Sequence, residues 1–268
     1  MRRPAGRARL RAALDAAAIP TFQSRGAAST AETIRWVLAP GRMPHGRRAY
    51  VIGDVHGVCD SLARLQTQIR NDLAARPVQA AVIIHLGDYI DQGPDSAGVL
   101  RLLMGDPFPS VAQVNLLGDH ERMLLDALDG DKAAATDWLW GGGRAALISW
   151  GLDPDLPREA WAEAIPAHHI AWLRGLGLMH REGNYLFVHA GIRPGVDVDR
   201  QAKDDLLTIR QPFLSTEQPF GAVIVHGHSA VPAVSVLPNR IGLDTGAGMG
   251  GRLTCVVLED DVLGLIAV

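Results

Sequence analysis

Between residues 50 and 121 one pattern is written three times: a short β-prone apolar run, a turn rich in Gly, Asp or His, and an amphipathic helix. The runs are "AYVIGDVHG", "AAVIIHLGD" and "AQVNLLGDH". The first leads into Leu62, Leu65 and Ile69 and stops before Pro77. The second passes Pro94 into Val99, Leu100, Leu102 and Leu103, and the third enters Met123, Leu124, Leu125 and Leu128. Apolar residues three and four apart cover one helix face, whereas an unbroken apolar run of strand length is buried on both faces of a sheet. The pattern predicts βαβαβα and an α/β fold, in which ligands bind outside the carboxyl ends of the strands.

Downstream, a helical stretch is expected over 134–180, broken at 141–143 by three glycines. It carries Trp138, Trp140, Trp150, Trp161 and Trp172, most of them expected in the core. "NYLFVHAG", "AVIVHGH", "RIGLDTGAG", "RLTCVVLED" and "VLGLIAV" then read as strands between Gly- and Pro-bearing turns, and a second, largely antiparallel sheet is expected from them.

Charge divides the chain unevenly. Residues 1–48 hold ten arginines against Asp15 and Glu32, a net of +8, which leaves −11 for residues 49–268 in a chain whose total is −3. Residues 1–48 therefore read as a basic, Arg/Ala-rich N-terminal extension and 49–268 as the catalytic domain. The leader is Arg- and Ala-rich and acid-poor, like an organelle-targeting peptide. Lys is confined to Lys132 and Lys203, however, so Arg usage is read as the habit of the whole chain. Arg7, Arg9, Arg11 and Asp15 interrupt the place where a secretory signal needs an apolar core. Nucleic-acid binding is not expected of the leader, because Phe22 is its one aromatic residue before Trp36 and stacking surfaces interleave aromatics with cations. At 268 residues and 47% apolar content the chain can bury a full core. No apolar stretch approaches the roughly 18–20 residues that span a bilayer. Cys59 and Cys255 make no disulfide framework, and Cys255 within "LTCVVL" reads as a buried thiol. A reducing, cytoplasmic setting and no membrane partner are expected.

The polar residues that close the apolar runs are of the types that bind metal: Asp54 and His56, Asp88 and Asp91, Asp119, His120 and Glu121, His189, His226 and His228. Any one of them alone reads as a helix cap or turn residue. Five successive strands ending this way point to a site. Carboxylate oxygen with neutral imidazole nitrogen suits Mn, Fe or Zn, and the donors outnumber the needs of one tetrahedral ion. Two ions about 3.5–4 Å apart can acidify a bridging water and clamp an in-line phosphoryl displacement.

In order and spacing, "GDVHG" (53–57), "GDYIDQG" (87–93), "GDHE" (118–121), "HAG" (189–191) and "HGH" (226–228) resemble the GDxHG, GDxxDRG, GNHE, HAG and GH elements of the phosphoprotein phosphatase family, within the calcineurin-like metallophosphoesterases. The likeness covers residues 50–258. It is greatest to bacterial serine/threonine protein phosphatases, extending to "GGGR", "VHAGIRPG", "IRQPF" and "LDTGA". It implies a four-layer α-β-β-α sandwich, with a central β-sandwich flanked by helices. It also implies two divalent metal ions, Mn ahead of Fe or Zn, and direct attack on a phosphomonoester by a metal-bridging hydroxide without a covalent enzyme intermediate. By the same resemblance Asp54 and His56 hold the first metal, Asp88 bridges, and Asp119, His189 and His228 hold the second. His120 would protonate the leaving oxygen, oriented by Asp91, a pairing that suits a general acid near neutral pH. Arg193 and Arg210 align near the phosphate, Arg144 less clearly; His226 and His85 match no ligand.

Two letters depart from the pattern. Gln92 stands where the family usually has Arg, the residue whose planar fork binds phosphate oxygens in pairs, so a donor remains but a charge is lost. Asp119 stands where Asn is usual, and Leu117 where Arg is common. The first two changes lower the charge at the phosphate site by two units, one positive charge lost and one negative charge gained. The reading that follows is a protein phosphatase, with a phosphorylated protein as substrate, whose missing cations come from Arg122, Arg144, Arg193 or Arg210. The alternatives are a dinucleoside polyphosphate or phosphodiester hydrolase, against which Asp91 argues, and a weakly active phospho-binding member, against which the six ligand positions, Asp91 and His120 argue.

Overall fold

The computed structural model describes residues 34–268, so most of the basic leader lies outside the described residues. The strands are β1 (Val37–Leu38), β2 (Arg47–Ile52), β3 (Ala80–His85), β4 (Ala112–Asn115), β5 (Met179–Glu182), β6 (Tyr185–Val188), β7 (Val223–His226), β8 (Ser235–Val236), β9 (Arg240–Gly242), β10 (Thr254–Glu259) and β11 (Val262–Ala267). The helices are α1 (Cys59–Ala75), α2 (Ser96–Met104), α3 (Asp119–Leu128), α4 (Lys132–Trp138), α5 (Arg144–Ser149), α6 (Arg158–Ala164), α7 (Ala167–Arg174) and α8 (Lys203–Thr208).

The first three strand-helix units form as the pattern predicts. Helix α1 buries Leu62, Leu65, Gln66 and Ile69, a single stripe at helical spacing, and ends two residues before Pro77. Helix α2 is capped by Asp95, whose carboxylate accepts the Gly98 N–H at 2.7 Å. Strands β2, β3 and β4 pair in parallel, with Ile52 opposite His85 and His85 opposite Asn115. This register brings their carboxyl ends level.

The last two strands depart from the expectation. Rather than joining a second sheet, β10 pairs antiparallel with β2 and β11 with β10, giving a six-stranded sheet in the order β1-β11-β10-β2-β3-β4. Cys255 and Val257 of β10 point into one core cluster and Val256 and Leu258 into another, so this strand is buried on both faces and belongs mid-sheet. Residues 37–38 and 47–48 are also part of this sheet, so residues N-terminal to 49 contribute to the catalytic body. The second sheet, β5-β6-β7-β9-β8, is mixed and not largely antiparallel: β6, β7 and β9 run parallel, with an antiparallel strand at each edge. Each of those three parallel strands also ends at a polar residue or turn that faces the site described below.

Alternating side chains divide the interior into layers. Tyr50, Ile52 and Ile83 pack against α1, α2 and Trp138 on one face of the first sheet. Val51, Val82 and Ile84 meet Tyr185, Phe187, Val225 and Ile241 between the sheets. Leu186, Val188 and Ile224 meet Leu206, Ile209 and Phe213 on the far side, around α8. The result is a mixed α/β fold with two face-packed sheets between helical layers. Of the tryptophans, Trp138 and Trp161 are buried, Trp150 and Trp172 half-buried, and Trp140 is 88% exposed. The break in the helical stretch falls at residues 139–143, a π-helical segment in which Gly142 takes a φ of 120°.

Because the first sheet is buried on both faces, truncation should be costly whichever way the side chain points. Ile83→Ala and Ile84→Ala, neighbours on opposite faces and both fully buried, should each destabilise by about 2–5 kcal/mol. Urea denaturation of the two variants checks this. A near-neutral result for either would show that one face of the sheet is open.

Candidate metal centre and active site

The turn after β3 is held by one carboxylate. Glu121, fully buried in the first turn of α3, accepts the N–H groups of Asp88 (2.9 Å), Tyr89 (2.8 Å), Ile90 (3.1 Å) and Gly118 (3.0 Å). The Gly118 bond also closes the N-terminus of α3. Burial and the charge of Asp88 push the pKa of Glu121 up, to about 8, against the pull of these donors. The turn thus fixed is a strained one. Among the described residues eight non-glycines have positive φ, and five of them, His56, Asp88, Asp91, Gln92 and His228, gather at this site. Such backbone persists only where surrounding bonds over-determine it.

Six parallel strands deliver side chains here from their carboxyl ends. Two groups of ligand-type atoms share Asp88: Asp88, Asp119, His189 and His228 form one, and His56, Asp88 and His120 the other. His189 Nε2 lies 2.9 Å from Asp119 Oδ1 and 3.5 Å from Asp88 Oδ1, and His228 Nδ1 lies 3.1 Å from Asp119 Oδ1. His56 Nε2 lies 3.4 Å from Asp88 Oδ2. Asp54 stands beside these groups rather than within either. Its Oδ2 accepts the His228 N–H at 2.8 Å, while Oδ1 is buried without a hydrogen-bond partner. A Cβ on Gly227 would sit 1.9 Å from that oxygen, so glycine is what lets the His228 turn approach.

These donors suit metal ions. Nδ1 of His56 faces the Ile90 carbonyl (3.0 Å) and Nδ1 of His189 the Leu86 carbonyl (2.9 Å), so each ring donates there and turns an Nε2 lone pair toward Asp88. Asp54 Oδ1 and His228 Nε2 are buried and unpaired. Burial, then the charge of Asp244, drives the Asp54 pKa well up, as carboxylates crowded without a cation must be. Burial opposes ionisation of Asp119 too, but bonds from His189 and His228 hold its pKa well below the usual carboxylate range. A set of carboxylate oxygens and oriented imidazole nitrogens around one shared aspartate fits a pair of divalent ions.

Next to the Asp88 groups, His120 Nδ1 lies 2.7 Å from Asp91 Oδ2, and the His56 and His120 rings are 4.7 Å apart. Asp91 is fully buried and anchored by its N–H, which donates to Ser96 Oγ at 2.9 Å. Burial raises the Asp91 pKa to about 6, with the His120 bond pulling the other way. For His120 burial lowers the pKa, but Asp88, Asp91 and Asp119 outweigh it and raise it to about 10.

His56, Asp88, Asp119, His120 and His228 line a cleft of about 340 Å³, together with Gln92, Asp244, Leu214, Met249 and Arg210. Arg210 is the one arginine lining it among the described residues; its guanidinium reaches the His228 carbonyl at 3.5 Å. The other candidate cations are engaged elsewhere. Arg193, aligned with the phosphate by resemblance, instead forms a two-pronged pair with Asp205 of α8 at 2.7 and 2.5 Å and does not line the cleft. Arg144 pairs with Asp155 at 2.8 Å, and Arg122 with Asp126. His226 is buried with its ring edge-on to Phe213, and His85 is buried beneath Tyr89, both off the cleft. Sequence reasoning missed Asp244. It is buried, lines the cleft and accepts the Gly246 N–H at 2.9 Å. The signal was present, since "RIGLD" ends an apolar run in an aspartate like the others.

A family model described as calcineurin-like phosphoesterase matches residues 47–256. The chain belongs to this family. Members are dinuclear metal-dependent phosphoesterases, in keeping with the Asp/His groups around Asp88. Serine/threonine-protein phosphatase 1 of Salmonella typhimurium is 30% identical over 220 residues, 80% of this chain and 93% of that protein. The symmetrical bis(5'-nucleosyl)-tetraphosphatase of Dechloromonas aromatica is 25% identical over 280 residues, 79% of this chain and 92% of that one. A crystal structure of a candidate diadenosine tetraphosphatase superposes with a TM-score of 0.61 at 25% identity, covering 82% of this chain and 92% of that one. This metallophosphoesterase therefore has relatives named for two substrate classes.

Its centre depends on Glu121. Glu121→Ala leaves four buried N–H donors without an acceptor and should cost about 3–5 kcal/mol. Glu121→Gln, which sets an NH₂ against some of those donors, should fall between. Urea denaturation of metal-free protein measures both, and wild-type stability in Glu121→Ala would remove this residue's structural role.

Proposed function

We propose that this metallophosphoesterase hydrolyses phosphomonoesters and acts as a serine/threonine protein phosphatase. The observation that carries the reading is the Asp91–His120 pair, 2.7 Å apart at the cleft and beside the Asp88-centred groups. The first metal falls to Asp54, His56 and Asp88, and the second to Asp88, Asp119, His189 and His228. Two divalent ions bound there, Mn ahead of Fe or Zn, would supply Lewis acidity and an acidified water. Because His120 donates from Nδ1 to Asp91, its transferable proton sits on Nε2, which delivers it to the departing serine or threonine oxygen. Asp91 keeps the ring in that tautomer and supports its positive charge. Arg210 binds phosphate oxygens from the other side of the cleft. Gln92, also at the cleft, can offer an N–H but no charge. With one guanidinium lining the cleft among the described residues, phosphate capture depends chiefly on the ions.

A second reading, hydrolysis of dinucleoside polyphosphates, is supported by the likeness to the candidate diadenosine tetraphosphatase structure. Turnover by the Mn-loaded enzyme on a phosphoserine peptide, a phosphotyrosine peptide, a phosphodiester and diadenosine tetraphosphate separates the two. The first reading expects the phosphoserine peptide to give the highest kcat/KM; a preference for the tetraphosphate would replace it with the second.

His120→Asn and Asp91→Asn should each lower kcat at least about tenfold. Removing the Asp91 carboxylate also lowers the pKa of His120, so in Asp91→Asn the basic limb of the kcat profile should move to lower pH. A profile that keeps its basic limb in both variants would remove the acid from His120.

A further inference from the structure

We infer that Gln92 is a ligand of the metal ion held by His56, through its side-chain oxygen Oε1. The inference rests on the dinuclear reading above and adds to that site a residue of this chain that the family resemblance places on the phosphate instead.

The starting point is the environment of the amide. Gln92 Nε2 lies 3.4 Å from His56 Nε2. His56 uses Nδ1 toward the Ile90 carbonyl, so its Nε2 offers a lone pair, and the Gln92 NH₂ is the donor that faces it. At the other end of the amide, Oε1 is buried with no hydrogen-bond partner. The arrangement is consistent only while His56 Nε2 is free of metal. Once a cation takes that lone pair, the positive end of the amide dipole faces a positive ion, and the NH₂ has lost its acceptor.

Rotation of the terminal amide by 180° removes the clash by turning the negative end of the dipole to the ion. The torsion is soft and two-fold, and the rotation puts Oε1 where Nε2 stands, 3.4 Å from His56 Nε2. Two ligands at about 2.0–2.2 Å from one ion and at right angles to each other stand about 3 Å apart, so a small shift completes the geometry. A neutral amide oxygen is an ordinary ligand for hard and borderline divalent ions.

The surroundings hold the side chain in this reach. A Cβ on Gly248 would lie 2.6 Å from Gln92 Oε1 and 2.5 Å from His56 Cβ, and one on Gly142 would lie 2.7 Å from Gln92 N and 2.9 Å from its Cγ. The Gln92 N–H also donates to the Gly142 carbonyl at 3.3 Å. Gln92 is therefore clasped between two glycine backbones and against His56. As a ligand it brings a neutral oxygen to the His56 ion, while the second ion has the anionic Asp119. Phosphate capture is then left to Arg210 and the ions, without a donor from Gln92.

The test is Mn titration into metal-stripped full-length protein by calorimetry, without substrate, for wild type, Gln92→Leu and Gln92→Glu. Wild type is expected to bind two ions. Gln92→Leu should lose about tenfold or more in affinity at one site with the other unchanged, and Gln92→Glu should bind as tightly as wild type or more so. Circular dichroism and Tm of the stripped proteins should match. If Gln92→Leu binds both ions within about twofold of wild type and only its KM for the phosphoserine peptide rises, Gln92 serves the phosphate and this inference is overturned while the dinuclear reading stands. A wild type that binds fewer than one ion overturns the dinuclear reading as well.

Discussion

One buried carboxylate links the scaffold to its chemistry. Glu121 collects four backbone N–H groups, three from the turn after β3 and one from the start of α3. That turn contains Asp88, the residue shared by both ligand groups, and α3 begins with Asp119 and His120. A single side chain therefore sets the spacing of Asp88, Asp119 and His120. Four hydrogen bonds to one buried carboxyl group are also what allow Asp88 to stand at a φ of 50°. Loss of the carboxylate would release strain and ligand geometry together.

The sequence makes the first half of this arrangement plain and hides part of the second. The βαβαβα rhythm is legible because each unit is local: strand, turn and helix follow within about thirty residues, and the apolar spacing changes period in step. Asp54, His56, Asp88, Asp119 and His120 are legible for the same reason, as polar residues ending apolar runs. The second sheet is harder. Strands β10 and β11 follow the other strands of that sheet in sequence, yet β10 pairs with β2, some two hundred residues away in the chain, and β11 joins the same sheet through β10. Such non-local pairing leaves no periodic trace in any window. The parallel run of β6, β7 and β9 is likewise fixed by their connections and by burial on both faces, and not by the composition of the strands.

Arginine placement shows the same limit more sharply. Arg122, Arg144 and Arg193 are available cations on paper, but each is engaged by an aspartate outside the motif: Asp126 one turn along the same helix, and Asp155 and Asp205 across loops. Arg210 alone among them lines the cleft. A motif records which residue type stands at a position, whereas a guanidinium's direction depends on the nearest carboxylate within reach. Asp244 is the converse case: an acid of the "LDTGA" stretch to which sequence reasoning gives no site role and which packing brings into the site.

The charge balance of the site ties these points together. Asp88, Asp119 and Asp244 line a cleft that has one arginine among the described residues, Asp54 and Asp91 are buried beside it, and Asp54 responds with a pKa driven upward. In a buried region such crowding is tolerable only with cations present, and among the described residues Arg210 is the one guanidinium at the cleft to share that load with the site's histidines. Gln92 and Asp119 then belong to one pattern rather than two exceptions: with Arg replaced by an amide and Asn by a carboxylate, positive charge moves from protein side chains to bound ions. On the proposed reading a phosphate dianion entering this cleft would be held by bound ions together with Arg210, so substrate affinity and metal occupancy should rise and fall together, more steeply than where an arginine pair holds the phosphate by itself.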